Sequence, residues 1–154
     1  MPYEILKFIH IVGVVLLVGN VTITAFWKVF ADRTGDVQVV AFAQHLVILC
    51  DWVFTLAGIV MIVTGGYGMA IIAALPVFEK TWLILGQLLF IVSGVIWLFV
   101  LIPLQIRQGR QARLSSRSGS FPDFYWRDAR LWLIWGIIAT IPLVGAIYVM
   151  VAKP

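Results

Sequence analysis

The sequence is poor in what water-soluble folds are made of. Only 12% of its 154 residues are charged, and only seven are acidic against eleven Lys and Arg, where an ordinary soluble domain is about a quarter charged. Cysteine occurs once, at Cys50, so an intrachain disulfide scaffold is excluded and the redox compartment cannot be read from it. With two histidines, His10 and His45, there is no Cys/His cluster at metal-ligand spacing. The densest glycine run, Gly65-Gly66-Tyr67-Gly68, lacks the lysine and strand context of a phosphate loop. Ser93, His10 and Asp51 lie far apart with no nucleophile elbow, which leaves a hydrolase triad without support. What is abundant is apolar: 62% of the chain. A chain of this size buries only about 70% of the surface its unfolded form exposes, so most of that apolar surface must face lipid.

A hydrocarbon core of about 30 Å needs about 20 apolar residues per crossing. Four runs qualify, at Ile5–Phe30, Val37–Ala74, Thr81–Ile106 and Arg127–Val151. They are continuous rather than alternating, which argues against a strand barrel. The short links make sequential helices antiparallel neighbours. The expected fold is all-α, an up-down four-helix transmembrane bundle forming one domain over residues 1–154, with a basic loop over 107–122. No proline interrupts the second run before Pro76, so it reads as one long helix, loosened near Thr64–Gly68. The first run lacks a basic leader and a small-residue cleavage site and is expected to stay in the membrane. Asp123 is the expected N-cap of the fourth helix.

Eight of the eleven basic residues lie on one side: Lys28 and Arg33 at the first link, and Arg107, Arg110, Arg113, Arg117, Arg127 and Arg130 at the third. The positive-inside rule then places both termini and the Pro76 turn outside. Arg107, Arg110, Arg113 and Arg117 recur at helical spacing and are candidate contacts for anionic lipid headgroups rather than nucleic acid. Phe121, Phe124, Tyr125 and Trp126 read as an interfacial belt at that level, and most other tryptophans as anchors or packing.

An ionisable side chain at mid-span is by default a functional-site hypothesis. Asp51 lies about 21 Å along its helix at 1.5 Å per residue, close to the middle. Gln44, Ile48, Thr55, Gly58, Ile62 and Gly65 recur around it at steps of three and four, so Asp51 is expected to face the bundle. The first helix carries a matching stripe of His10, Gly13, Leu17, Asn20, Thr24 and Trp27, which brings Asn20 near the level of Asp51. Two readings stand side by side, a structural polar contact between helices and a proton-handling or ligand-binding role for Asp51. For His10, near the outer end with Lys7 one turn before it, the readings are a hydrogen-bonded interfacial imidazole or an axial ligand to haem iron. His45 lies nearly 20 Å lower by helical rise, so one haem is not expected to be clamped by both histidines.

The segments Leu6-Lys7-Phe8-Ile9-His10-Ile11, Asp51-Trp52-Val53-Phe54-Thr55, Pro103-Leu104-Gln105-Ile106-Arg107 and Tyr148–Pro154 resemble the bacterial integral membrane proteins grouped as domain of unknown function 2269. That resemblance spans nearly the whole chain and implies four membrane helices in the bacterial inner membrane, with no activity attached. The Lys7-x-x-His10-Ile11 opening is also similar to the start of the four-helix, haem-containing protoporphyrinogen oxidase family and of related membrane cytochrome b and copper-resistance domains. This second likeness implies His10 as a haem ligand and Lys7 as a functional residue. Downstream the chain departs from it, with Leu17, Gly19 and Asn20 in place of that family's Trp-containing and Tyr-Leu-Pro-Arg segments.

The expectation drawn from both is a small haem b-type or porphyrin-binding redox protein. His10 would ligate the haem, and Lys7 would pair with a propionate or substrate carboxylate. Asp51, with Asn20 and Thr55, would tune the pocket or relay a proton. The alternatives are a proton-coupled transporter unit centred on Asp51 and working as an oligomer, or a non-catalytic accessory subunit of a larger membrane complex.

Overall fold

The computed structural model describes residues 2–154. Four long helices, α1 (Pro2–Thr34), α2 (Val37–Ile72), α3 (Thr81–Ser118) and α4 (Asp123–Ala152), are each long and apolar enough to cross a membrane. They pack antiparallel in chain order. The end carrying the termini and the Pro76 turn is called here the terminal end, and the opposite one the basic end.

Several boundaries differ from the sequence expectation, each for a local reason. The segment 107–118 is helix rather than loop. Its Gln, Arg, Ala and Leu residues are good helix formers, the glycine within it, Gly109, is tolerated where the helix packs closely on Ile48, and no proline interrupts it before Gly119, whose φ of 80° ends α3. Lys28, placed at a link by its charge, lies inside α1 and is buried, because Asp32 one turn on neutralises it at 2.7 Å. Asp36 caps α2 by accepting from the backbone N–H of Gln38 and Val39. Asp123 is the first residue of α4 rather than its cap; extended Pro122 holds that position.

The glycine run near Thr64–Gly68 does not loosen α2, which stays helical to Ile72. Gly65 serves close approach instead. A Cβ there would lie 2.7 Å from the His10 nitrogen and the Leu6 carbonyl, so α1 and α2 touch backbone to backbone. The irregularity falls elsewhere. At Asp51–Thr55 the helix widens to a π turn, the Leu56 N–H bonding the Asp51 carbonyl five residues back, and α3 does the same at Trp97–Leu101. Pro103 explains the second, since it has no N–H to bond the preceding turn.

The helices form two hairpins, α1 with α2 and α3 with α4, that meet at the basic end and diverge toward the terminal end. At the basic end Lys28 of α1 donates to Tyr125 of α4 at 3.0 Å, and Arg107 of α3 pairs with Asp128 of α4. Toward the terminal end, among the described residues, the backbone of Leu56–Ile72 nowhere approaches that of Thr81–Ile96. One side-chain bond spans the gap there, Tyr67 Oη donating to Gln87 Oε1 at 2.6 Å. The divergence leaves a cleft of about 710 Å³ between the hairpins, lined mostly by apolar side chains of all four helices.

Candidate functional site: a buried carboxylate at the floor of the cleft

Among the described residues, Asp51 is the only ionisable one lining that cleft. It is buried at mid-span, and neutral donors from three helices converge on it. Asn20 of α1 donates from Nδ2 to Asp51 Oδ1 at 2.9 Å, and Thr55 of α2 donates from Oγ1 to the same oxygen at 3.1 Å. Gln105 of α3 donates to Oδ2 at 2.5 Å, with Trp97 Nε1 at a longer 3.5 Å. Asn20 also donates to Thr55 Oγ1 at 2.9 Å, and Thr24 bonds back to the Asn20 carbonyl at 2.6 Å, fixing the backbone that carries the amide. Asn20, Thr55 and Gln105 are buried like Asp51. In hydrocarbon a carboxylate is costly unless its lone pairs are satisfied, and here both oxygens are.

The two π turns shape this site. Asp51 and Thr55 are the first and last residues of one, and Trp97 is the first of the other. Inserting a residue into a helix rotates the following face, which is why such turns recur at functional sites. The spacing argument thus brings Asp51, Asn20 and Thr55 together as expected. It passes over Gln105 and Trp97. Gln105 sits one residue from the expected end of the third span, where a polar side chain reads as interfacial; with α3 continuing to Ser118, it lies well inside the helix.

Over residues 4–154 the sequence matches the family described as predicted integral membrane protein, DUF2269. The chain belongs to the DUF2269 family. No curated protein and no solved structure matches it significantly, so the DUF2269 fold described above stands on its own geometry.

The other candidates in this DUF2269 protein lie apart from the carboxylate. His10 is half-buried in the α1–α2 seam, its Nδ1 2.8 Å from the Ile62 carbonyl, and it does not line the cleft. Lys7 is exposed one turn away, and His45 is exposed on α2. No group of three His, Cys, Asp or Glu fit to hold a metal ion occurs among the described residues.

At the basic end, Arg107 of α3 pairs with Asp128 of α4. Its guanidinium holds buried Asp128 in two hydrogen bonds while its own side chain stays 55% exposed. Arg110, Arg113 and Arg117 form no ion pair among the described residues. Phe121, Tyr125 and Trp126 cluster, with the Phe121 and Tyr125 rings stacked at 4.2 Å. Tyr125 is fully buried, so it is packing in the bundle rather than part of an outer belt.

Proposed function

We propose that the protein is one unit of a proton-coupled membrane transporter in which Asp51 is the group that exchanges a proton against cargo. The observation that carries this reading is a single carboxyl group, among the described residues, lining a mostly apolar cleft that opens between two diverging hairpins. A site of that polarity suits an amphipathic cation, whose apolar body fills the cleft and whose positive group replaces the proton on Asp51. Asn20, Thr55 and Gln105 hold the carboxyl in place, and the hinge needed to reclose the cleft is available at the two π turns. Four helices are few for a complete path, so the working form is an oligomer in which a second copy covers the open side.

The test uses purified protein in proteoliposomes with a pH gradient and a pH-sensitive dye, to which tetraphenylphosphonium and related lipophilic cations are added. Wild type should show cation-dependent proton flux, and Asp51→Asn should lose it while still folding. Flux unchanged by the substitution sinks the proposal.

A second reading keeps the haem at His10. It is favoured by one observation: with Nδ1 bonded to a backbone carbonyl, the imidazole keeps the Nε2 lone pair that iron takes. Because His10 does not line the cleft, a haem ligated there would lie on the outer side of the α1–α2 seam or between copies, away from Asp51. Haem would supply one-electron chemistry; this chain would supply the axial imidazole and, from Lys7, a cation for a propionate. A reduced-minus-oxidised visible spectrum of membrane-purified protein lacking a Soret band, even after haem supplementation, removes that reading.

A further inference from the structure

Between Asp51 and the basic end runs a column of amides of which Gln105 lines the cleft and Gln44, Gln108 and Gln111 do not. Gln105, which donates to Asp51, has its backbone carbonyl 3.5 Å from Gln44 Nε2. One turn further along α3, Gln108 donates to the Asp128 carbonyl, and Gln111 lies 3.5 Å from the Asp128 carboxylate, the group held by exposed Arg107. Gln44 and Gln108 are at most 1% exposed. The Oε1 atoms of Gln44, Gln108 and Gln111 are all buried, and none has a hydrogen-bond donor. Three orphaned amide acceptors buried along one side of a helix bundle are too unfavourable to stay dry. Buried waters settle where several such groups converge, each making about three hydrogen bonds.

We infer that a hydrated file runs from Asp51 past Gln105, Gln44, Gln108 and Gln111 to the aqueous basic end at Asp128 and Arg107, giving the carboxyl a proton route separate from the cleft. The inference deepens the Asp51 reading by assigning the two sides different traffic, cargo through the cleft and protons through the file. The amides do not themselves transfer protons. They hold the waters, and an excess proton passes along them as each water breaks one O–H bond and forms another, until it rests on an Asp51 oxygen.

Thiol reactivity tests hydration whether or not transport occurs. In full-length protein carrying Cys50→Ala, a charged methanethiosulfonate reagent reacts with thiolates that water can reach. Gln44→Cys and Gln108→Cys should react within about tenfold of exposed Ser118→Cys. They should react at least a hundredfold faster than Ala146→Cys, which is buried and does not line the cleft. Gln111→Cys, at the mouth of the file, covers the case in which the deeper variants do not fold. Rates as slow as Ala146→Cys at all three positions overturn the inference, even if proton flux through Asp51 is intact. Fast thiols in a protein whose proton flux is absent uphold the file and reject the transporter reading instead. Where flux is present, Gln44→Leu and Gln108→Leu should lower it at least tenfold, and unchanged flux in both counts against the route.

Discussion

Replacing Asn20 by leucine, close to it in size, asks how strongly the fold depends on the carboxylate site. Asn20 Nδ2 is shared between Asp51 Oδ1 and Thr55 Oγ1, each at 2.9 Å. An interhelical side-chain bond in a membrane is worth about 0.6 kcal/mol on average, but a hydrogen bond to a charged group contributes about 1.5–3 kcal/mol. Asn20→Leu removes one of three close donors and leaves Oδ1 with Thr55 alone, so a loss of about 2 kcal/mol follows. In the Asp51→Leu background the same change removes only the bond to Thr55 and should cost about 0.6 kcal/mol. The double-mutant cycle therefore predicts a coupling of about 1.5 kcal/mol. Reversible unfolding in mixed detergent micelles measures all four proteins. A coupling near zero would refute the claim that Asn20 acts on Asp51, and a loss of well under 0.5 kcal/mol for Asn20→Leu alone would refute the claim that this site carries stability.

Other consequences can be checked separately. Gly65→Leu forces a side chain where a Cβ already lies 2.7 Å from the α1 backbone; it should destabilise the α1–α2 hairpin by about 2 kcal/mol or more, read by the same unfolding assay. Tyr67→Phe removes the one side-chain hydrogen bond across the mouth of the cleft among the described residues; spin-label distances between the terminal-end halves of α2 and α3 should broaden while stability changes by less than about 0.5 kcal/mol. Arg107→Gln leaves Asp128 buried without its ion-pair partner; since Arg107 is itself largely exposed, the loss should be about 1 kcal/mol, and a change below detection would show that Gln111 and the helix suffice.

How far the site was legible in the residues depended on what each one contrasted with. Asp51, Asn20 and Thr55 stand out because a polar side chain in the middle of an apolar run has few structural excuses, and steps of three and four place them on facing stripes. Gln105 has the same chemistry, yet the run of arginines after it suggested that the membrane ended there. Charge marks the interface, so the arginines read as a loop in the sequence, whereas α3 continues through them as helix until Gly119 ends it. The π turn at Trp97–Leu101 had a signal in Pro103. The one at Asp51–Thr55 had none, since no proline or glycine lies within it and an ordinary helix would already place Asp51 and Thr55 on one face. Lys28 reads as a link residue by its charge for a related reason: its neutralising partner, Asp32, lies one turn away in the same helix.

The measurement that bears most directly on the account is proton flux in proteoliposomes driven by a lipophilic cation, compared between wild type and Asp51→Asn. Cation-dependent flux in wild type that falls at least tenfold in Asp51→Asn, with thermal unfolding showing a folded variant, is the predicted result. Equal flux in the two proteins, or none in wild type under any of the cations tried, would contradict the role given to Asp51.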